Sequence, residues 1–240
     1  TNGIRSGQPG RSFLKTTGVS IGLGKRLAWP DDFFTLFQQL SYRNYDLKDF
    51  TRFLFSNGHS NTFSLTETFA RNSIDQPLYP RKGVQISLTV EATPPFSLFD
   101  GIDDYSGLSD QDKYKWIEYH KWKFKLSWFT KLAGNLVLNT RMQFGFLGLY
   151  NRNLGIAPFE RFVLGGSGLS GFYFDGREII ALRGYDDGSL SDATGSTMYN
   201  KYTFEMRYPL SLNPSATIYG LAFAEAGNAW NKFNEFKPFE

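Results

Sequence analysis

Hydrophobic and polar residues alternate along much of this chain. In the stretch GVQISLTVEA, residues 83–92, Val, Ile, Leu, Val and Ala share one face and Gln, Ser, Thr and Glu share the other. A period of two is typical of a β-strand with two different faces, and a helix cannot satisfy it. Similar stretches predict strands at about 16–28, 33–45, 61–72, 83–92, 118–131, 134–148, 199–209 and 216–230. The pattern therefore predicts an all-β fold with about eight antiparallel strands.

The predicted strands are long, and their two faces differ strongly. Most have about ten or more residues, whereas strands of globular proteins have a mode of about five or six. In HKWKFKLSW, residues 120–128, the aromatic and aliphatic residues share one face and three lysines and a serine share the other. Strands of this length cross a bilayer at a tilt, with the apolar face toward lipid and the polar face toward a wet lumen.

The connections between the predicted strands alternate between short and long. LAWPDD, QPLYPRKG, TKLAGN and PLSLNPSA are short and rich in turn-forming residues. The long connections cover about residues 46–61, 93–118 and 149–198. This alternation is typical of an up-and-down outer-membrane barrel with short periplasmic turns and long external loops. A soluble β-sandwich or barrel with an aromatic core is the alternative, which strand length and loop asymmetry disfavour.

The longest loop, 149–198, is too large for the interior of an eight-stranded barrel, which side chains already fill. Either this loop stays outside, or residues 1–240 form part of a single, wider barrel domain. The opening TNGIRSGQPG looks like the middle of a loop, and the final NKFNEFKPFE lacks a closing strand with a terminal aromatic residue. Both observations favour the wider barrel.

Composition excludes several other classes of function. The net charge of +3 comes without a basic cluster in a nucleic-acid module, so we expect no nucleic-acid partner. With no cysteine and two unpartnered histidines, we expect neither a metal site nor a cofactor. The segment LGGSGLSG lacks the ending of a phosphate loop and a histidine-activated serine. We therefore predict that the protein has no catalytic residues and is not an enzyme.

The loop and its flanks resemble a known family. PFERFVLGGSGLSGF followed by LRGYDD is similar to the sixth external loop of the BamA family, with the Arg-Gly-aromatic tip at Arg183, Gly184 and Tyr185. FARNSIDQPLYPRKGVQISLTV, FEMRYPL and AFAEAGNAW are similar to strands on either side. The resemblance implies that the eight strands are the sixth to the thirteenth of about sixteen. The periplasmic domains and the seam strands would lie outside this chain.

The resemblance also implies that the loop folds back into the lumen, where Arg183 docks on Glu205 and Glu225. An arginine in a partly dehydrated channel needs an acceptor, which agrees with this expectation. Alternation places Glu205 in the lumen, between residues 204 and 206 of the lipid face. A solvated loop arginine is the alternative for Arg183.

The orientation of Glu225 is less clear from the pattern. It shares a face with Tyr219, Leu221 and Phe223, which looks like the lipid face. Either a bulge near Gly220 or Gly227 resets the alternation, or Phe223 points inward.

Glycines in the loop have two interpretations. Gly184 would let the loop backbone approach the wall, because a bulkier residue would hinder it. Gly165, Gly166, Gly168 and Gly171 would serve close packing in the first arm of the loop. Simple flexibility is the alternative for a glycine-rich segment.

The function implied by the resemblance is assembly of barrel proteins in the bacterial outer membrane, without nucleotide. The expected partners are outer-membrane lipids, unfolded outer-membrane protein clients and accessory assembly lipoproteins. A related translocator, a porin or transporter barrel, and an adhesin remain alternatives.

Overall fold

The computed structural model describes residues 12–50, 55–169, 176–213 and 215–237. Its strands are β1 (Phe13–Arg26), β2 (Phe34–Lys48), β3 (Gly58–Asn72), β4 (Gly83–Ala92), β5 (His120–Lys131), β6 (Val137–Gly148), β7 (Phe162–Leu164), β8 (Glu178–Ile180), β9 (Met198–Asn213) and β10 (Ala216–Trp230). One α-helical turn, α1, covers Asp110–Lys113, and 3-10 turns cover Phe96–Leu98 and Phe233–Glu235. In these ranges no helix is both long and apolar enough to span a bilayer.

Eight strands form one antiparallel sheet in the order β1-β2-β3-β4-β5-β6-β9-β10, which confirms the predicted fold class. Each strand pairs with its neighbour in sequence, except that the long loop containing β7 and β8 separates β6 from β9. Connections of two to ten residues join the strands at one end of the sheet, and connections of 9, 27 and 49 residues lie at the other, so the predicted alternation of short and long connections fails between β2 and β3. The two ends are called the short-turn end and the long-loop end below.

Strand β9 runs to Asn213, past the predicted end at residue 209. The connection PLSLNPSA was predicted to begin at Pro209, because it is rich in turn-forming residues. Pro209 instead pairs with Tyr219 at the point where the register between β9 and β10 shifts. Pairing irregularities of this kind are where a strand tolerates proline.

The sheet has large apolar side chains on its exposed face and polar side chains on its buried face, which is the reverse of the usual arrangement in a soluble protein. On the outer face, Trp122, Trp128, Phe204 and Tyr208 are about half exposed. On the inner face, Asn139, Thr203 and other polar residues are almost fully buried. Large exposed rings opposite buried polar side chains fit a barrel wall whose outer face meets lipid.

The loop between β6 and β9 folds against the inner face. Its two short strands, β7 and β8, pair in parallel. At the long-loop end, loop residues and wall residues form one buried apolar cluster: Tyr45, Leu47, Ile117, Tyr119, Leu147, Ala157, Phe159, Phe162, Leu164, Ile180, Leu182 and Tyr199. The loop is therefore part of the hydrophobic core, as well as a connection between strands.

The short turn between β3 and β4 also reaches across the inner face. Tyr79 is buried, and its hydroxyl donates to the carbonyl oxygens of Arg207 at 3.0 Å and Asn135 at 3.3 Å. Its ring lies 5.3 Å from the ring of Tyr219. The turn thus connects β3 and β4 to β9 and β10 at the short-turn end.

Gly145 on β6 provides the space in which the loop meets the wall. A Cβ atom at this position would lie 2.7 Å from the Phe162 ring and would also collide with the Tyr199 ring. These two rings contact each other, with centroids 4.8 Å apart. The missing side chain therefore allows the β7 segment to pack directly on β6.

We predict that Gly145→Ala destabilises the folded protein by about 1–3 kcal/mol, because the added methyl group overpacks this contact. The temperature at which the folded form loses its compact mobility in SDS gels would measure the effect. Gly220→Ala is the matched control, since no heavy atom lies within 4 Å of the position that a Cβ atom would take there on β10. Equal stability of both variants would contradict the packing role of Gly145.

Candidate functional site

The loop tip lies over the inner face of β9 and β10. Arg183, Gly184 and Tyr185 follow β8 in the second arm of the loop. Glu225 on β10 pairs across the strands with Thr203 on β9, and these two residues form the part of the wall that faces the tip. The long loop thus brings its arginine to a carboxylate more than forty residues later in the chain.

Arg183 binds Glu225 through three hydrogen bonds. Its Nε donates to Oε2 at 3.2 Å, its Nη2 donates to Oε1 at 3.1 Å, and its backbone N–H donates to Oε2 at 3.2 Å. The side chain of Glu225 is 3% exposed, whereas that of Arg183 is 45% exposed. A forked, bidentate pair of this kind fixes both the position and the orientation of the guanidinium. The hydrogen bond with Glu225 raises the pKa of Arg183, so the arginine stays charged.

Two further residues of β9 complete the surroundings of Glu225. Lys201 lies with its Nζ 3.0 Å from Oε1, and the hydroxyl of Thr203 donates to the same oxygen at 3.2 Å. Lys201 also donates to the carbonyl oxygen of Ala181 in the loop. A carboxylate this deeply buried requires such partners, because an unpaired buried charge is strongly unfavourable.

Phe223 lies on the inner face, which is the second of the two alternatives that the sequence left open. It pairs across the strands with Glu205, and the register shift in this region lies between Ile218 and Tyr219. Phe223 and Glu225 therefore stay in the same phase, without a bulge between them. The guanidinium carbon of Arg183 lies 3.5 Å from the centroid of the Phe223 ring, which is a cation–π contact.

Glu205 lies on the inner face but pairs with other arginines. Arg141 Nη2 lies 3.1 Å from its Oε2, and Arg207 Nε contacts its Oε1. Glu205 thus pairs with Arg141 and Arg207 in place of Arg183. It lies two residues along β9 from Thr203, the cross-strand partner of Glu225. The physical reason is register: Glu205 lies opposite Phe223, whereas the tip of the loop stops at Glu225.

The glycines of the first loop arm lie at close contacts with the second arm. Gly165, Gly166 and Gly168 have φ angles of +127°, +77° and +74°. A Cβ atom would lie 2.5 Å from the Asp186 carbonyl oxygen at Gly165 and 2.8 Å from the Ala181 Cβ at Gly168. Both the backbone conformation and the space therefore disfavour a side chain here. Gly171 lies outside the described residues.

Gly184 and Tyr185 differ from what the motif suggested. No heavy atom lies within 4 Å of a Cβ built on Gly184, so close approach to the wall is not the reason for glycine there. Its φ of +91° is the reason, because residues with side chains rarely adopt this backbone conformation. Tyr185 is about half exposed, and its carbonyl oxygen accepts from the Gly166 N–H at 3.1 Å.

Lys201 and Phe223 were not predicted as parts of this site. Alternation places both on the same face as the acidic residues, but it does not show which residues lie opposite each other.

The contacts of the site are ion pairs, hydrogen bonds and a ring contact that connect a loop to a wall. Among the described residues, no group of three or more His, Asp or Glu residues could hold a metal ion. The arrangement is suited to holding a loop in place.

Comparisons with known proteins agree with this architecture. In solved structures, the chain is similar to the crystal structure of BamA from Haemophilus ducreyi lacking POTRA domains 1–3, with a TM-score of 0.64 and 18% sequence identity. The match covers 92% of this chain and 42% of that chain, so the chain spans less than half of that protein's length. A search of curated proteins found no match.

The fold is therefore that of a segment of a BamA barrel. The sequence matches the Omp85 superfamily domain over residues 11–240, which is almost the whole chain. The chain belongs to the Omp85 superfamily.

Proposed function

We propose that the protein assembles β-barrel proteins in the bacterial outer membrane. The observation that carries this proposal is the docking of Arg183 on Glu225 inside a sheet with an Omp85 superfamily domain. The BamA resemblance of the loop and the BamA-like fold support the same function. The work would need no nucleotide, because insertion would use the barrel's own edge and the bilayer next to it.

In this proposal, residues 1–240 support the working part of the barrel. Client strands would meet the seam between the first and last strands of the whole barrel. The docked loop would hold the wall in its working shape, because it connects β9 and β10 to the core at the long-loop end. Partners would include outer-membrane lipids at the aromatic outer face, unfolded barrel clients and accessory assembly lipoproteins.

Translocation of a dedicated partner protein is the second candidate. The tip of the loop is held by polar contacts and one ring contact, so a movement of the tip could open a passage. A passive pore fits less well, because the loop contributes a large part of the buried core beside the inner face. Membership of the superfamily alone does not separate assembly from translocation.

We predict that Glu225→Ala lowers the yield of folded outer-membrane barrels more than Arg183→Ala does. Loss of Glu225 removes the acceptor of both Arg183 and Lys201, whereas loss of Arg183 leaves Glu225 with Lys201 and Thr203. Each change should weaken docking on the order of 1–3 kcal/mol. The double variant should resemble Glu225→Ala alone, because the two residues act as one pair.

Quantitative immunoblots of several folded barrels, in cells that carry each variant as the only copy, would measure these yields. Arg152→Ala is the matched control, since Arg152 is an exposed arginine of the same loop. Yields of both docking variants that match the control would contradict the proposal.

The range of affected proteins separates assembly from translocation. If the protein is an assembly factor, Glu225→Ala should reduce many unrelated outer-membrane barrels together, since all would depend on the same seam. Comparative proteomics of outer-membrane fractions would measure this breadth. Loss of one exported protein, with the barrels unchanged, would instead establish the translocator.

A further inference from the structure

The loop has a second polar contact with the wall, far from its tip. Lys121 lies on the inner face of β5, and its side chain is 3% exposed. Its Nζ lies 3.2 Å from Glu160 Oε2 and 3.4 Å from Glu178 Oε2. Both carboxylates belong to the loop between β6 and β9. The row of lysines on β5, which the sequence presents as a polar wall, is therefore partly a docking surface.

Other residues enclose this ion cluster. Lys123 Nζ lies 3.1 Å from Glu178 Oε2, and Arg43 Nη1 on β2 lies 3.2 Å from Glu160 Oε1. The ring of Phe162 lies 4.9 Å from the Lys121 ammonium group. The cluster is thus a built contact between two wall strands and the loop.

Lys121 forms ion pairs with carboxylates from both arms of the loop. Glu160 precedes β7 in the first arm, and Glu178 begins β8 in the second arm. Glu160 has a φ of +60°, an uncommon conformation for a residue with a side chain. Gly176 leaves space for the Glu160 carboxylate, because a Cβ atom there would collide with it.

The cluster at Lys121 is separate from the site at Glu225. Lys121 pairs with Leu147 on β6, whereas Glu225 is connected through Thr203 to Arg141 on β6. These two β6 positions are six residues apart, which is about 20 Å along a strand. In the described part of the chain, the two sites share no ion-pairing residue.

The two sites also differ in their exposure to water. Arg183 is 45% exposed, so water can solvate its guanidinium when it leaves Glu225, and Lys201 and Thr203 remain as partners of the buried carboxylate. Lys121 is almost fully buried, so removing its partners would leave an uncompensated charge. Burial alone would raise the pKa of the Glu178 carboxyl, but the positive charges of Lys121 and Lys123 outweigh it, so this pKa is lowered. Burial raises the pKa of the Glu160 carboxyl.

We propose that Lys121 is a positioning residue that anchors the base of the loop, independently of the tip. The tip at Arg183 then releases from Glu225 while the base stays docked on β5. This inference goes beyond the proposed function, because it holds whatever protein the barrel handles.

Cysteine labelling tests whether the two anchors act separately. The 240 residues contain no cysteine, so a single introduced thiol is a unique reporter in this part of the protein. Ala157→Cys reports on the base and Leu182→Cys on the segment next to the tip. Both positions are buried in the same apolar cluster, so they respond differently only if the two anchors act separately. Each reporter is combined with Lys121→Met or Glu225→Ala in the full-length protein, with any other cysteine replaced, and is labelled with a maleimide in outer membranes.

The expected result is a crossed pattern. In the Lys121→Met variant, the maleimide should react with Ala157→Cys at least about tenfold faster, because the substitution breaks a buried ion pair. The rate at Leu182→Cys should stay unchanged. In the Glu225→Ala variant, labelling of Leu182→Cys should become faster and labelling of Ala157→Cys should stay unchanged. Labelling does not depend on assembly activity, so failure here and failure of the proposed function are distinguishable.

Two variants control for general misfolding. Lys125→Met removes another lysine from the same face of β5. Lys125 forms no ion pair in the described part of the chain and acts on Glu178 more weakly than Lys121 and Lys123 do, so the change should leave both reporters protected. Adding Glu160→Gln to Lys121→Met should restore protection of Ala157→Cys, since it removes the charge left without its lysine. Three outcomes would overturn the proposal. Labelling of Ala157→Cys could be unchanged in Lys121→Met, both reporters could become equally exposed in either variant, or Glu160→Gln could fail to restore protection.

Discussion

The structure depends on the burial of the Glu225 carboxylate inside the wall, where an unpaired charge would be strongly unfavourable. Its partners come from two places: Lys201 and Thr203 from the neighbouring strand, and Arg183 from the loop. The loop therefore completes a polar site that the strands leave unfinished. An inner face rich in polar groups makes this possible, because a purely apolar interior would offer no acceptor for the arginine.

The sheet could be predicted from the sequence because its physical signals are local. The alternation in β4 and β5 separates two faces within a few residues, and the order of short and long connections gives each strand its direction. The same reasoning left the orientation of Phe223 open, because its face also carries Tyr219 and Leu221 and looks like a lipid face. A ring also fits the inner face when a guanidinium lies against it, and only the position of the loop shows this.

The partners within the site could not be predicted in the same way. The resemblance offers both Glu205 and Glu225 as partners for Arg183, and alternation favours Glu205, whose orientation toward the lumen is the clearer of the two. The register between β9 and β10 and the depth of the loop decide between them, and both are long-range properties. Lys121 shows the same limit, since its face was predicted but its partners, Glu160 and Glu178, lie far along the chain.

The glycines show why a motif alone does not reveal its physical cause. Gly165 and Gly168 need both an unusual backbone conformation and space against the other arm, whereas Gly184 needs only the conformation. The open surroundings of Gly184 agree with the partial exposure of the neighbouring Arg183. Close packing thus increases from the tip toward β7, where the loop joins the apolar core and Phe162 packs on Gly145. Since Arg183 and Tyr185 are about half exposed, the position of the Arg183–Tyr185 tip depends mainly on polar contacts, and changes in those contacts alter its docking most directly.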